Sequence, residues 1–160
     1  MAMSILVQEK LGSFKEEAQG TLELDYLEVE WFETHKRILH KMTRGGIPLT
    51  LRFLDQDPEL REGDILFIDS DRMVLVEIIP CKSIVLSPLH LAEASALCYE
   101  IGNRHLPLFI EGTQLVVPYE APLFQWLHAT GFKPEIEERK LQDPLKTNVL
   151  PHVKFSFDRQ

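Results

Sequence analysis

The chain has 160 residues, 44% of them hydrophobic and 26% charged, a formal net charge of −8 and a pI near 5.2. That length admits one domain or two small ones, and that composition fits a folded protein and not a disordered one. The acidic balance argues against a nucleic-acid binder, which carries a basic patch. No run reaches the roughly 18 apolar residues of a membrane helix and no signal-peptide pattern is present, so a cytoplasmic location is expected.

Residues 4–80 read as mostly β. Ile5-Leu6-Val7 is a short first strand. Leu22–Phe32 (LELDYLEVEWF) alternates apolar with acidic or polar side chains, the period of a strand with one wet face. Arg37–Thr43 continues in a broken alternation, Arg44-Gly45-Gly46 turns, and Ile47–Phe53 is another strand. Leu60–Asp64 turns into Ile65–Ile68, and Asp69–Arg72 turns into Met73–Ile79. Short strands at close spacing with Gly and Asp turns predict a small β sandwich or barrel.

Pro80-Cys81-Lys82 is the expected boundary. Ile84–Leu86 then reads as a strand and Ser87-Pro88 as a helix start, with Ser capping free N–H groups and Pro in the first turn. The helix runs from Pro88 to about Ile101, with His90 in its first turn and Leu89, Ala92, Ala96 and Tyr99 near helical spacing. Gly102-Asn103 is expected to stop it, because both residues tolerate left-handed backbone. His105 follows, two residues before Pro107. Leu106–Ile110 and Leu115–Val117 read as strands around a turn at Glu111-Gly112-Thr113. Ala121–Thr130 is a second helix closed by Gly131, and Pro134–Leu141 is a charged edge strand. This β-α-β-β-α-β order is the ferredoxin-like plan. The expected fold class is therefore α+β: a small all-β domain over 1–80, a ferredoxin-like domain over 81–141, and a flexible tail over 142–160 that carries His152.

The two cysteines, Cys81 and Cys98, lie in apolar segments without a CxxC, which predicts free thiols. No pair of the six histidines has i, i+4 spacing in a helix, and HExxH is absent. His35 and His40 read as surface or structural groups, and His128 as a favourable group near a helix C-terminus. His105 by itself also reads as structural, because one imidazole cannot hold a transition metal that takes about four to six ligands. A twofold dimer axis changes that, since the same patch then occurs twice. The tail can add His152 as a further ligand. Catalysis lacks a motif: there is no GxSxG and no Gly-rich phosphate loop. Cys98 with His105 is the only nucleophile pair on offer, and core packing is the simpler role for Cys98.

Tyr99, Gly102-Asn103-Arg104-His105, Pro107 and Leu115-Val116-Val117-Pro118, in that order, make the chain resemble the UreE-type urease accessory proteins, the nickel metallochaperones of urease maturation. Trp31-Phe32-Glu33 with Lys36-Arg37, Arg61-Glu62-Gly63-Asp64 before a strand, and Leu127 with Gly131-Phe132 extend the match over about residues 4–141. The resemblance implies a non-enzymatic chaperone with an N-terminal β domain akin to a peptide-binding module and a C-terminal domain that forms a homodimer. It implies Ni2+ held by His105 of two subunits at the dimer interface, with Zn2+ suited to the same site. It also implies delivery to apo-urease through an accessory complex containing a GTPase. His152 matches the tail histidine that joins the site in some members. The chain lacks the histidine-rich tail and the His-x-His pair of other members, so neither bulk storage nor a second fixed site is expected. That leaves about one ion per dimer, with further pairing of dimers around the metal left open. Neutral imidazole is the binding form, so affinity is expected to fall as pH drops through about 6.5. The alternative is a metal-independent adaptor whose β domain docks partner chains, with His105 structural.

Overall fold

The computed structural model describes residues 4–15, 20–55 and 57–146. In chain order it contains β1 (Ile5–Val7), β2 (Gly12–Ser13), β3 (Glu23–Val29), β4 (Ile38–Met42), β5 (Pro48–Arg52), β6 (Asp64–Ile68) and β7 (Arg72–Ile78). Then follow β8 (Cys81–Leu86), α1 (Leu91–Asn103), β9 (Phe109–Glu111), β10 (Gln114–Pro118), α2 (Ala121–Ala129) and β11 (Glu135–Arg139). The architecture is mixed α+β, mostly strand with two helices among the described residues.

The first seven strands form two sheets, β1-β5-β4 and β2-β6-β7-β3. β1 runs parallel to β5, and β3 parallel to β7. β7 is an almost unbroken apolar run because both of its faces are covered, as expected for a strand buried on two sides. Val74, Val76 and Ile78 enter a core shared by both sheets with Leu27, Val29, Leu39, Leu49, Leu51 and Phe53. Met73 and Leu75 face the other way, packed with Ile65 beneath Phe14, Leu22, Leu24 and Tyr26. β3 follows the same logic: Leu24 and Tyr26 serve one cluster, Leu27 and Val29 the other. Asp25 shares the parity of Leu27 and is therefore buried.

The segment Leu22–Phe32 does not stay extended throughout. β3 ends at Val29, and Trp31–Glu33 forms a 3-10 turn closed by Glu33 N–H donating to Glu30 O at 2.9 Å. Glu33 Oε2 in turn accepts from Glu30 N–H at 3.1 Å.

The second half forms one antiparallel sheet in the order β11-β8-β10-β9. Ile84 and Leu86 of β8 and Leu115 and Val117 of β10 face Leu97 and Ile101 of α1 and Leu123 and Leu127 of α2. On the opposite face Val85, Phe109, Val116 and Leu141 meet Trp31, so the 3-10 turn of the first half seals the second. The Trp31 and Phe109 rings meet edge to face, with centroids 5.7 Å apart. Lys140 to Glu62 and Arg61 to Asp143, both at 2.8 Å, add ion pairs between the halves.

Several boundaries differ from the sequence expectation. β8 begins at Cys81, so Cys81 and Lys82 belong to a strand and not to a linker. α1 begins at Leu91, not at Pro88, because the His90 ring and not Ser87 caps it: Glu93 N–H donates to His90 Nδ1 at 3.2 Å. The Leu106–Ile110 strand is limited to Phe109–Glu111, since Pro107 has no N–H to give a ladder. Leu89, Ala92, Ala96 and Tyr99 lie on the exposed side of α1 and its approach, and the buried positions of the helix are Leu97 and Ile101. No helix among the described residues is long and apolar enough to cross a membrane.

Candidate metal centre

α1 and α2 stop in the same way but on different residues. After α2, Gly131 N–H donates to His128 O and Phe132 N–H to Leu127 O, with Gly131 left-handed at φ 84°. After α1, His105 N–H donates to Gly102 O at 3.0 Å and Leu106 N–H to Ile101 O at 3.3 Å. Here the left-handed residue is His105 itself, at φ 57°, while Gly102 and Asn103 remain helical. This pair of bonds is the Schellman arrangement, whose left-handed position usually takes glycine. A histidine there costs backbone free energy on the order of 1 kcal/mol. It also means that helix-end hydrogen bonds on both sides fix where the imidazole starts.

His105 is exposed at the rim of an apolar groove of about 830 Å³. Ile101, Leu106 and Leu108 form its floor, with the half-buried Cys98 and the exposed Tyr99 on its wall. Trp31 reaches the groove from the first half of the chain, and Leu145 closes it from the C-terminal side, its N–H donating to Leu108 O at 2.7 Å. Neither Trp31 nor Leu145 was recognisable as a neighbour of His105 from the sequence, because both arrive through long-range packing. Beside the groove, α1 presents an uncovered apolar face. Leu91 is 83% exposed and Tyr99 73%, with exposed Ala92, Ser95, Ala96 and Gly102 between and beyond them.

The other described histidines each have a local explanation. His35 Nδ1 lies 2.9 Å from Asp57 Oδ1, and His40 Nδ1 lies 3.0 Å from Thr50 Oγ1. His90 caps α1, and His128 meets Phe124 edge-on at the C-terminal end of α2. His152 lies outside the described residues. Cys98 and Cys81 are free thiols. Burial raises the Cys81 thiol pKa, against a smaller lowering by its contact with Ser83, so this thiol is a packing group and not a ready thiolate.

Two family models cover nearly the whole folded region: the UreE urease accessory protein N-terminal domain over residues 7–79 and its C-terminal domain over residues 82–143. A urease accessory protein UreE of Flavobacterium johnsoniae is 38% identical over 148 residues, spanning 92% of this chain and 90% of that protein. One from Acetivibrio thermocellus is 38% identical over 145 residues, spanning 91% and 94%. One from Helicobacter pylori is 30% identical over 157 residues, spanning 96% and 92%.

Proposed function

The chain belongs to the UreE family of urease accessory proteins, and from that premise we propose that it is a nickel metallochaperone that supplies Ni2+ for assembly of the urease active site. The observation that carries the reading is His105, exposed at the mouth of an apolar groove and held by the helix-end hydrogen bonds of α1. One imidazole does not retain a divalent ion by itself. The uncovered face of α1 supplies a reason for a second copy to sit alongside: small residues permit close approach, and Leu91 and Tyr99 have apolar surface to bury. A twofold contact there brings two His105 rings to one ion. His152 of the tail is the proposed additional ligand, and Zn2+ suits the same donors.

In this reading residues 1–80 form the partner-binding domain, 81–141 the dimerising and metal-binding domain, and 142–160 the C-terminal segment that carries His152; its first residues are held in place, with Leu145 N–H donating to Leu108 O at 2.7 Å and Asp143 paired with Arg61. The strand order β11-β8-β10-β9, with two helices on one face, supports a ferredoxin-like plan for the second domain. The partners are apo-urease and a GTPase-containing accessory complex in the cytoplasm.

Calorimetric titration with nickel tests the reading. His105→Ala should abolish the tight site, while light scattering still reports a dimer; His152→Ala should weaken binding only in part. Unchanged tight binding by His105→Ala would remove the central ligand. A second reading, a metal-independent adaptor, is favoured by Leu6, Ile38 and Met42, which leave apolar surface exposed on β1 and β4. It requires that His105→Ala support urease activation in cells as well as the parent chain does.

A further inference from the structure

We infer that His35, Asp57 and Glu59 form a second and weaker divalent-cation site, separate from His105 and lying against Lys146. One ligand atom from each of the three residues can be chosen so that all lie within 4.8 Å of one another. An imidazole nitrogen with two carboxylate oxygens is a donor set that suits nickel, zinc or manganese, with water filling the remaining positions. The side chains of His35 and Asp57 are 39% and 51% exposed, which leaves an open side for those waters.

The fold holds the three donors together before any ion arrives. His35 follows the Trp31–Glu33 turn, where the Thr34 hydroxyl donates to Trp31 O at 2.9 Å. Leu60 N–H donates to Thr34 O at 2.9 Å, which ties the segment carrying Asp57 and Glu59 to the residue next to His35. Glu59 N–H donates to Asp57 Oδ1 at 3.1 Å, and Lys10 Nζ donates to Glu59 O at 3.2 Å.

The ammonium of the chain itself already sits at this place. Lys146 Nζ lies 2.5 Å from Glu59 Oε1. An incoming ion therefore competes with Lys146 for Glu59. Lys146 directly follows Leu145, which lines the His105 groove. The inference stands whether or not His105 binds metal.

The test uses the full chain carrying His105→Ala, so that a failure of the His105 reading cannot mask it. Nickel chloride is added while amide signals are followed by NMR, since paramagnetic Ni2+ broadens nearby resonances. Selective broadening around His35, Asp57 and Glu59 supports the site. It should disappear in His35→Gln/Asp57→Asn, and Lys146→Ala should bind up to about fivefold tighter, the loss of one surface ion-pair competitor. An ion-pair network only would give no selective broadening. That result, broadening that persists in the double variant, or weaker binding by Lys146→Ala would each overturn the inference.

Discussion

His105 occupies a position at which the backbone favours another residue. The matching position after α2 is Gly131, at φ 84°, whereas His105 holds φ 57° with a side chain attached. His105→Gly should therefore raise stability while removing the proposed ligand. A gain on the order of 1 kcal/mol corresponds to a rise in the unfolding midpoint of about 2–4 °C. A lower midpoint would show that the ring contributes packing that outweighs its backbone cost. The end of α1 near Gly102-Asn103 was legible from residue types, but the left-handed residue was not. Gly102 and Asn103 look better suited to that position, and only the hydrogen bonds to Ile101 O and Gly102 O place it at His105.

Two buried carboxylates tie elements together. Asp25 Oδ1 accepts from Gly45 and Tyr26 N–H, both at 2.8 Å, and so anchors the β4–β5 turn to β3. Burial pushes its pKa up, but the nearby Thr43 hydroxyl and the Gly45 and Tyr26 N–H donors outweigh that and hold it below the usual carboxylate value. Glu33 behaves alike: burial raises its pKa, while Lys41 at 2.6 Å and the Glu30 N–H outweigh that and lower it. A depressed folded pKa supplies stability that is complete above the unfolded value, about 4, and is lost as pH falls through the folded one. Urea midpoints should thus drop on acidification below about pH 4, and the drop should shrink in Asp25→Asn; an unchanged profile would contradict the assignment. Gly45 is fixed by the same carboxylate, since a Cβ there would lie 2.8 Å from Asp25 Oδ2. Gly45→Ala should cost about 1–3 kcal/mol in chemical unfolding, whereas an unaltered midpoint would mean that the turn moves aside freely.

The helices and most strands of this chain were readable from period and punctuation. The start of α1 was not, because Ser87-Pro88 has the residue types of a helix entrance while the observed cap is His90, whose ring accepts the Glu93 N–H. The spacing on α1 leaves its facing open for a related reason. Leu89, Ala92, Ala96 and Tyr99 have the spacing of a buried stripe, yet they are exposed. An apolar helix face left uncovered has the same spacing as one that packs into the core.

At the scale of the whole molecule, Trp31 links the halves by packing on Phe109 and lining the His105 groove. The first half thus shapes the candidate metal site, which neither half would build alone. The α1 face should be what joins two copies. Ala92→Glu with Ala96→Glu should give a folded monomer in light scattering, because both positions are exposed, and should weaken nickel binding in parallel. A dimer that survives both charges would place the interface elsewhere. The most direct measurement is anomalous diffraction at the nickel edge from crystals of the full chain soaked in nickel. The account predicts a peak on a twofold axis between two His105 rings. A peak bound by His105 of one chain only, or nickel found at His35, Asp57 and Glu59 with none at His105, would contradict it.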